Sequence, residues 1–268
     1  MVYNTIQTNL GEGLFTIREE NEIFWLDINT KELFYSYADG NFADIKRLTL
    51  EQTPSCIFDK DGDELLLLDA EGIKVLNLQT SKLQSIEKIP HNTELFRGND
   101  GVKLADGTLL FGSMARNPSE NSGKIYHYKN SELVTIDLIG IPNTFIELED
   151  SVLISDSLTQ KIYKYNKETY SKTMWADFSQ TTMTPDGGAL SDDGYIYVCF
   201  WGGACILKLD QIGSIISKFE IPALQPTNCK FISSNELIVT TATEGMTKEQ
   251  ICQYPKSGMT LKVTVGAS

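Results

Sequence analysis

Leu190-Ser191-Asp192-Asp193-Gly194 followed by Tyr195-Ile196-Tyr197-Val198-Cys199-Phe200-Trp201 reads as a strand end, a tight turn and a second, apolar strand. Asp-Gly supplies the positive-φ positions that short hairpin turns need, and the β-branched and aromatic run after it suits a buried strand. The same unit recurs. Apolar strands begin near Glu22 (EIFWLDI), Glu64 (ELLLLDA), Thr108 (TLLFGSM), Ser151 (SVLISDS), Tyr195 (YIYVCFW) and Glu236 (ELIVTTA). Their starts are separated by 42, 44, 43, 44 and 41 residues. Near-constant spacing over the whole length argues for one repeated unit rather than two unrelated domains.

Each unit carries more strands around that landmark. Phe58-Asp59-Lys60-Asp61-Gly62 and Leu104-Ala105-Asp106-Gly107 are further hairpin signals placed before it. Leu33-Phe34-Tyr35, Lys74-Val75-Leu76, Lys124-Ile125-Tyr126, Lys161-Ile162-Tyr163 and Cys205-Ile206-Leu207 supply a third strand, and runs such as Leu133-Val134-Thr135-Ile136 a fourth. Four antiparallel strands in each repeat of roughly 40–50 residues is the arithmetic of a propeller blade. The expected architecture is therefore all-β, a six-bladed β-propeller with four antiparallel strands per blade, spanning residues 1–268 as one domain. Val2-Tyr3-Asn4-Thr5-Ile6 is expected to return and complete the last blade, and no stretch of helical period competes with this reading.

Composition limits the function. A hydrophobic share of 41% in 268 residues supports a packed core. With 23 basic against 36 acidic residues, the net charge of −13 repels nucleic acid and anionic lipid. No apolar run approaches the roughly 20 residues that span a bilayer, and Met1-Val2-Tyr3-Asn4-Thr5 lacks the features of a secretory signal, so a cytoplasmic protein is expected. The five cysteines (Cys56, Cys199, Cys205, Cys229 and Cys252) form no C-x-x-C pair and are expected to be reduced, small buried hydrophobes. Only His91 and His127 are present, which excludes His-rich zinc sites, and no G-x-S-x-G elbow occurs. His127 is expected on a sheet and His91 in a loop. Chemistry here must run on carboxylates and amides. Asp59-Lys60-Asp61-Gly62-Asp63 has its Gly one step too early for a calcium loop and reads as an acidic turn.

Aligning the repeats shows which residues share one place in space. Eight to ten residues before each landmark lies the start of the preceding strand, the innermost of its blade. That position holds Glu12, Ser55, Asn99, Asn143, Asp186 and Thr227. These should form a ring at one mouth of the channel: two carboxylates, two carboxamides and two hydroxyls. Hard oxygen donors suit one central calcium, magnesium, manganese or loosely held zinc ion. The connection Ala115-Arg116-Asn117-Pro118-Ser119-Glu120-Asn121-Ser122-Gly123 returns to the same mouth and is expected as a lid, against the plainer reading of a surface loop. Asp27, Asp69 and Asp156 end landmark strands there. Capping of turn N–H groups is the commoner job for such residues, support of the ring the rarer one.

Leu10-Gly11-Glu12-Gly13 with Phe24-Trp25-Leu26-Asp27-Ile28 resembles the opening of the gluconolactonase, regucalcin (senescence marker protein) and luciferin-regenerating enzyme family. Arg97-Gly98-Asn99-Asp100-Gly101 with Gly112-Ser113-Met114, then Ile141-Pro142-Asn143, Asp156-Ser157, Pro185-Asp186-Gly187 with Trp201-Gly202-Gly203, and Pro226-Thr227-Asn228 continue the likeness to the end. The resemblance implies a metal set of Glu12, Asn143 and Asp186, with calcium as the first choice of ion. It implies substrate contacts at Arg97 and Asn99 and Asp186 as general base; Arg116 is read here as a further substrate contact and Asp100 as the alternative base. It also implies a metal-dependent lactonase opening a small sugar lactone. Leu14, Thr144 and Arg116 depart from the family pattern. They leave the metal set intact and put the substrate's identity in question.

Two other functions compete. A non-catalytic calcium-binding propeller would keep Glu12, Asn143 and Asp186 but need neither base nor Arg97. A broad esterase or phosphotriesterase would use the same metal. A protein-interaction propeller is disfavoured because no repeated Gly-His or Trp-Asp pair occurs. The oligomeric state is left open.

Overall fold

The computed structural model of the chain describes residues 1–40 and 44–266; the expected single span of 1–268 therefore includes five residues outside the described ones. Two compact units result. One comprises Met1–Thr49 with Gln180–Ser268, and the other Leu50–Ser179. Each unit contains three antiparallel sheets. In the second unit these are β5–β8 (Pro54–Asp61, Glu64–Asp69, Gly72–Asn77, Leu83–Lys88), β9–β12 (Phe96–Lys103, Leu109–Ala115, Gly123–Lys129, Glu132–Ile139) and β13–β16 (Pro142–Glu147, Ser151–Asp156, Lys161–Asn166, Lys172–Asp177). In the first unit they are β1–β4 (Gly11–Ile17, Glu22–Asp27, Glu32–Tyr37, Lys46–Thr49), β17–β20 (Thr184–Leu190, Ile196–Trp201, Cys205–Leu209, Ile215–Glu220) and β21–β23 (Gln225–Ser233, Glu236–Ala242, Leu261–Thr264). Strands in every sheet follow chain order, so the fold is an all-β six-bladed propeller.

The last sheet has three named strands and borrows a fourth. Val2 bridges Leu261, Tyr3 N donates to Thr260 O at 2.9 Å and Lys262 N to Met1 O at 2.8 Å. The N-terminal segment thus completes the blade begun by β21, as the repeat count requires.

Second strands are buried on both faces, which explains why they read as unbroken apolar runs rather than as alternating ones. In β14 and in most of β2 and β18 every side chain is buried. Cores form between neighbouring sheets. Cys56, Phe58, Leu68, Phe111 and Tyr126 join the second blade to the third, and Tyr197, Cys199, Cys229, Phe231 and Leu237 join the fifth to the sixth. Trp25 is fully buried, stacked on Phe34 with ring centroids 5.3 Å apart. Each such aromatic or Leu contributes about 1.5–3 kcal/mol by burial.

One element was not expected. The helix α1 (Lys248–Gln253) follows a capping box in which the Thr247 side chain accepts from Gln250 N and the Gln250 side chain from Thr247 N. The T-x-x-Q spacing was readable as a helix start. At six residues, with no buried side chain, it lacked the apolar stripe that signals a helix. It also carries Cys252, which is exposed and so corrects the expectation of five buried thiols. The other four cysteines are buried and none forms a disulfide.

Candidate functional site

Every blade has two ends. The leading end is where its first strand begins, its second ends and its third begins; the trailing end carries the opposite turns. The predicted hairpins lie at trailing ends, where Gly62, Gly107 and Gly194 adopt φ of 54°, 83° and 84°. Asp59, from the excluded calcium loop, pairs there with Lys103.

At the leading end all six first strands lose register by one residue. The breaks fall between Glu12 and Phe15, Pro54 and Cys56, Gly98 and Gly101, Asn143 and Ile146, Pro185 and Gly188, and Pro226 and Asn228. Glu12, Ser55, Asn99, Asn143, Asp186 and Thr227 each lie in or bound one of these bulges. A bulge bends its strand and re-aims one side chain away from the ladder. Thus six residues picked by repeat register alone coincide with six local distortions of the backbone.

In the second unit the predicted residues form one hydrogen-bonded chain. Arg97 Nη1 donates to Asn99 Oδ1 at 2.5 Å and to Gly98 O at 2.9 Å. Asn99 Nδ2 donates to Asn143 Oδ1 at 2.7 Å and to Pro142 O at 2.8 Å, and Asn143 Nδ2 to Ser157 Oγ at 3.0 Å. A candidate substrate contact and a candidate ligand are thereby locked in one orientation. Asp100 lies in the same bulge, where its carboxylate accepts from Gly101 N at 2.8 Å and from Phe145 N at 3.5 Å. Arg116 is exposed, with its Nε donating to Thr93 O at 3.1 Å. The loop after it contains a compact turn, Ser122 N to Ser119 O, and its outer residues are exposed.

In the first unit Asp186 is 5% exposed and Glu12 is half-buried. Both lie within Coulombic reach of the fully buried Cys199, whose thiol is pushed well up by burial, by its hydrogen bond with Cys229, and then by these two carboxylates. Gly187 follows Asp186 because a Cβ there would stand 2.3 Å from Asn228 Cγ. Thr227 turns away from ligand duty: its hydroxyl donates to Gly11 O, tying the sixth blade to the first, and lies 2.9 Å from Thr240 Oγ1.

Backbone conformation repeats between two of these strands. Gly13, after Glu12, has φ of 57°, and Thr144, after Asn143, has φ of 61°. Glycine tolerates that region, whereas a β-branched residue is strained there by about 1–3 kcal/mol. Thr144 is held by burial and by a 2.9 Å hydrogen bond with Ser155 Oγ.

The aspartates ending second strands are caps. Asp27 accepts from Asn9, Leu10 and Asn29 N–H groups at 2.8–3.2 Å, and Asp69 from Glu71 and Gly72 at 2.7 and 3.0 Å. Asp156 accepts from Gly140, Ile141 and Leu158 at 3.1–3.3 Å. Each pins the chain as it enters its blade. His127 sits on β11 with its ring 5.5 Å from Tyr170, and His91 in the loop before β9, stacked on Phe96.

Sequence reasoning passed over Ser157, Asn228 and the Cys199–Cys229 contact. Ser157 and Asn228 stand inside quoted motifs, Asp156-Ser157 and Pro226-Thr227-Asn228, where a polar residue beside a ring position was the available signal. The thiols gave none, because a buried cysteine reads as a small hydrophobe.

This fold and these leading-end residues define a propeller of the lactonase and regucalcin type. The chain belongs to the SMP-30/Gluconolactonase/LRE-like family, whose pattern matches residues 10–243. It is similar to the cell growth-regulated gene 1 protein of Candida albicans, 28% identical over 87% of this chain and 81% of that one. It is also similar to the L-arabinolactonase of Azospirillum brasilense, 23% identical over 94% and 87%. A calcium-binding protein, regucalcin, from Agrobacterium tumefaciens has the same fold, with a TM-score of 0.92 at 22% identity over 98% of this chain and 92% of that one.

Proposed function

We propose that this chain, as one domain over residues 1–268, is a metal-dependent sugar-lactone hydrolase. The observation that carries the reading is the coincidence of all six first-strand bulges with the polar ring positions. Kinship with an L-arabinolactonase supports the reaction class. The donors fit a hard divalent ion: carboxylates from Glu12 and Asp186 and the amide oxygen of Asn143, with calcium first and zinc, magnesium or manganese as alternatives. When bound, such an ion polarises a carbonyl and makes water a stronger acid.

The remaining work falls to the chain. Asp186, with Asp100 as the alternative, takes a proton from the attacking water, a contribution of roughly 10²–10⁴-fold. The water oxygen bonds to the lactone carbonyl carbon, the ring C–O bond breaks, and the departing oxygen is protonated to give the open hydroxy acid. Arg97 offers its planar fork to substrate oxygens, and Asn99, fixed between Arg97 and Asn143, orients the ring. No helix among the described residues is long and apolar enough to cross a membrane. Four buried, unbridged thiols support placement in the reducing cytoplasm.

The test is lactone hydrolysis followed by pH-stat, with metal-free protein and Ca²⁺, Mg²⁺, Mn²⁺ or Zn²⁺ restored singly over a panel of aldonolactones. Metal-dependent turnover that disappears in Glu12→Gln and Asp186→Asn is expected. Tight calcium binding without turnover on any lactone would instead establish the non-catalytic binding protein.

A further inference from the structure

The strand β21 belongs to the same compact unit as Glu12 and Asp186, and two consecutive residues of its bulge reach toward one of them each. The Thr227 hydroxyl donates to Gly11 O, the carbonyl of the peptide bond that leads into Glu12. Asn228 lies against Gly187, the residue after Asp186. A Cβ at Gly187 would stand 2.3 Å from Asn228 Cγ, 2.5 Å from Nδ2 and 2.7 Å from Oδ1. Near-equal distances to the three amide atoms mean that the carboxamide lies across the glycine instead of touching it with one end. Only a residue without a side chain admits a neighbour so close.

Register keeps Asp186 and Gly187 together. Pro185 pairs with Phe200 and Gly188 with Val198, so both residues of the bulge stand opposite Cys199 alone. The Cys199 thiol feels the charges of Asp186 and Glu12 and is hydrogen-bonded to Cys229, the residue after Asn228.

Asn228 is 3% exposed, and its Oδ1 accepts no hydrogen bond from any described residue. The hydroxyls nearest to it along the strands are spent. Thr227 donates to Gly11 O, and Thr240, opposite Asn228 in the ladder, donates to the Asn228 backbone O at 3.4 Å. A buried carbonyl oxygen without a donor costs free energy, and native structures retain one where another group satisfies it. Beside Asp186, a cation can bind this oxygen and the carboxylate at once, whereas a donor from the chain is not at hand.

We propose that Asn228 Oδ1 is a further oxygen donor to the divalent ion assigned above to Glu12 and Asp186. The inference rests on the metal-dependent reading and extends its ligand set. A neutral amide oxygen adds a donor without adding another negative charge. Calcium, which takes roughly six to eight oxygens, gains more from it than magnesium, which keeps several of its waters.

The test is calorimetric titration of Ca²⁺ and Mg²⁺ into metal-free wild type, Asn228→Leu and Asn228→Asp, with thermal unfolding of each metal-free protein. Asn228→Leu keeps the bulk and removes the oxygen. It should weaken Ca²⁺ binding by about tenfold or more, no less than the loss of a group that merely supports a ligand. Its metal-free form should unfold at or above the wild-type temperature, because an unsatisfied buried oxygen is gone. Asn228→Asp keeps an oxygen and adds charge, so it should bind Ca²⁺ at least as tightly as the wild type and be less stable without metal. Unchanged affinity with a destabilised metal-free Asn228→Leu would make Asn228 structural, and unchanged affinity with a raised KM for lactone would make it a substrate contact; either overturns the proposal. Equal weakening in both variants overturns it too, since affinity would then follow disturbance and not the oxygen. A wild type that binds no divalent ion removes the metal-dependent reading together with this one. Affinity lost in Asn228→Leu and kept in Asn228→Asp, with no lactone turned over by the wild type, removes the hydrolase and leaves the ligand in place.

Discussion

The leading and trailing ends of the blades are built from the same strands and obey different rules. Trailing ends follow local chemistry. Asp-Gly turns supply the positive φ, and exposed Lys–Asp and Arg–Asp pairs such as Arg18 with Asp192, 2.8 Å apart, decorate them. Leading ends break the ladder in every first strand, bury polar and charged groups, and place a β-branched residue, Thr144, in the left-handed region. Local rules are broken where a molecule gains something else by breaking them. Only the leading end breaks the ladder in all six first strands; the second and sixth blades slip once more at their trailing ends.

Substitutions can break this contrast in order of size. The largest effect is expected at Asp186→Asn: hydrolysis should fall by about 10²–10⁴-fold while urea unfolding shows a stability equal to or above that of the wild type, since burying a neutral amide costs less than burying a carboxylate. A fall in stability with unchanged turnover would assign Asp186 to the scaffold instead. Gly187→Ala should be next, since its Cβ would press on Asn228. Overpacking of this kind costs about 1–3 kcal/mol, and activity should fall with it because the displaced neighbour adjoins Asp186.

Thr144 sharpens the contrast from within. Thr144→Gly relieves the strained φ but loses the hydroxyl partner of Ser155, so stability should stay within about 1 kcal/mol of the wild type. Thr144→Val keeps the strain and leaves Ser155 Oγ buried without that partner, and should cost about 1–3 kcal/mol. Equal effects of both changes would show that the backbone here is not strained.

The smallest effect belongs to the trailing end. Asp106 is held well below the usual carboxylate range by its hydrogen bond to Lys129 and by Thr108. Its folded value is depressed, so its contribution is present above about pH 4 and is lost as pH falls through the folded value. Both side chains are largely exposed, at 36% and 59%, which limits the contribution to less than about 1 kcal/mol. A double-mutant cycle on Lys129 and Asp106 at pH 7 and pH 2 checks both sign and size.

Much of this was legible in the residues. Landmark strands expected near Glu22, Glu64, Thr108, Ser151, Tyr195 and Glu236 begin within one residue of those positions, because a strand buried on both faces leaves an unmistakable apolar run. The return of Val2 to the last blade and the hairpins at Gly62, Gly107 and Gly194 were equally readable. The ring positions emerged from repeat register, but their bulges did not, because no residue type encodes a one-residue slip. Nor could spacing show that Thr227 spends its hydroxyl on Gly11 O, or that Arg97, Asn99, Asn143 and Ser157 form one chain. Such pairings join segments far apart in sequence and depend on how neighbouring blades pack. The helix Lys248–Gln253 was missed for the opposite reason: its capping is local, and it buries nothing.

The most direct test of the central claim, that leading-end carboxylates hold a divalent ion, is thermal unfolding of metal-free protein with and without saturating Ca²⁺, Mg²⁺, Mn²⁺ or Zn²⁺. An ion at about 100 times its Kd stabilises the folded state by roughly 2.7 kcal/mol. The account predicts that at least one ion raises Tm by several degrees in the wild type, and that Glu12→Gln and Asp186→Asn lose that rise. An equal rise in wild type and variants, or no rise with any of these ions, would contradict it.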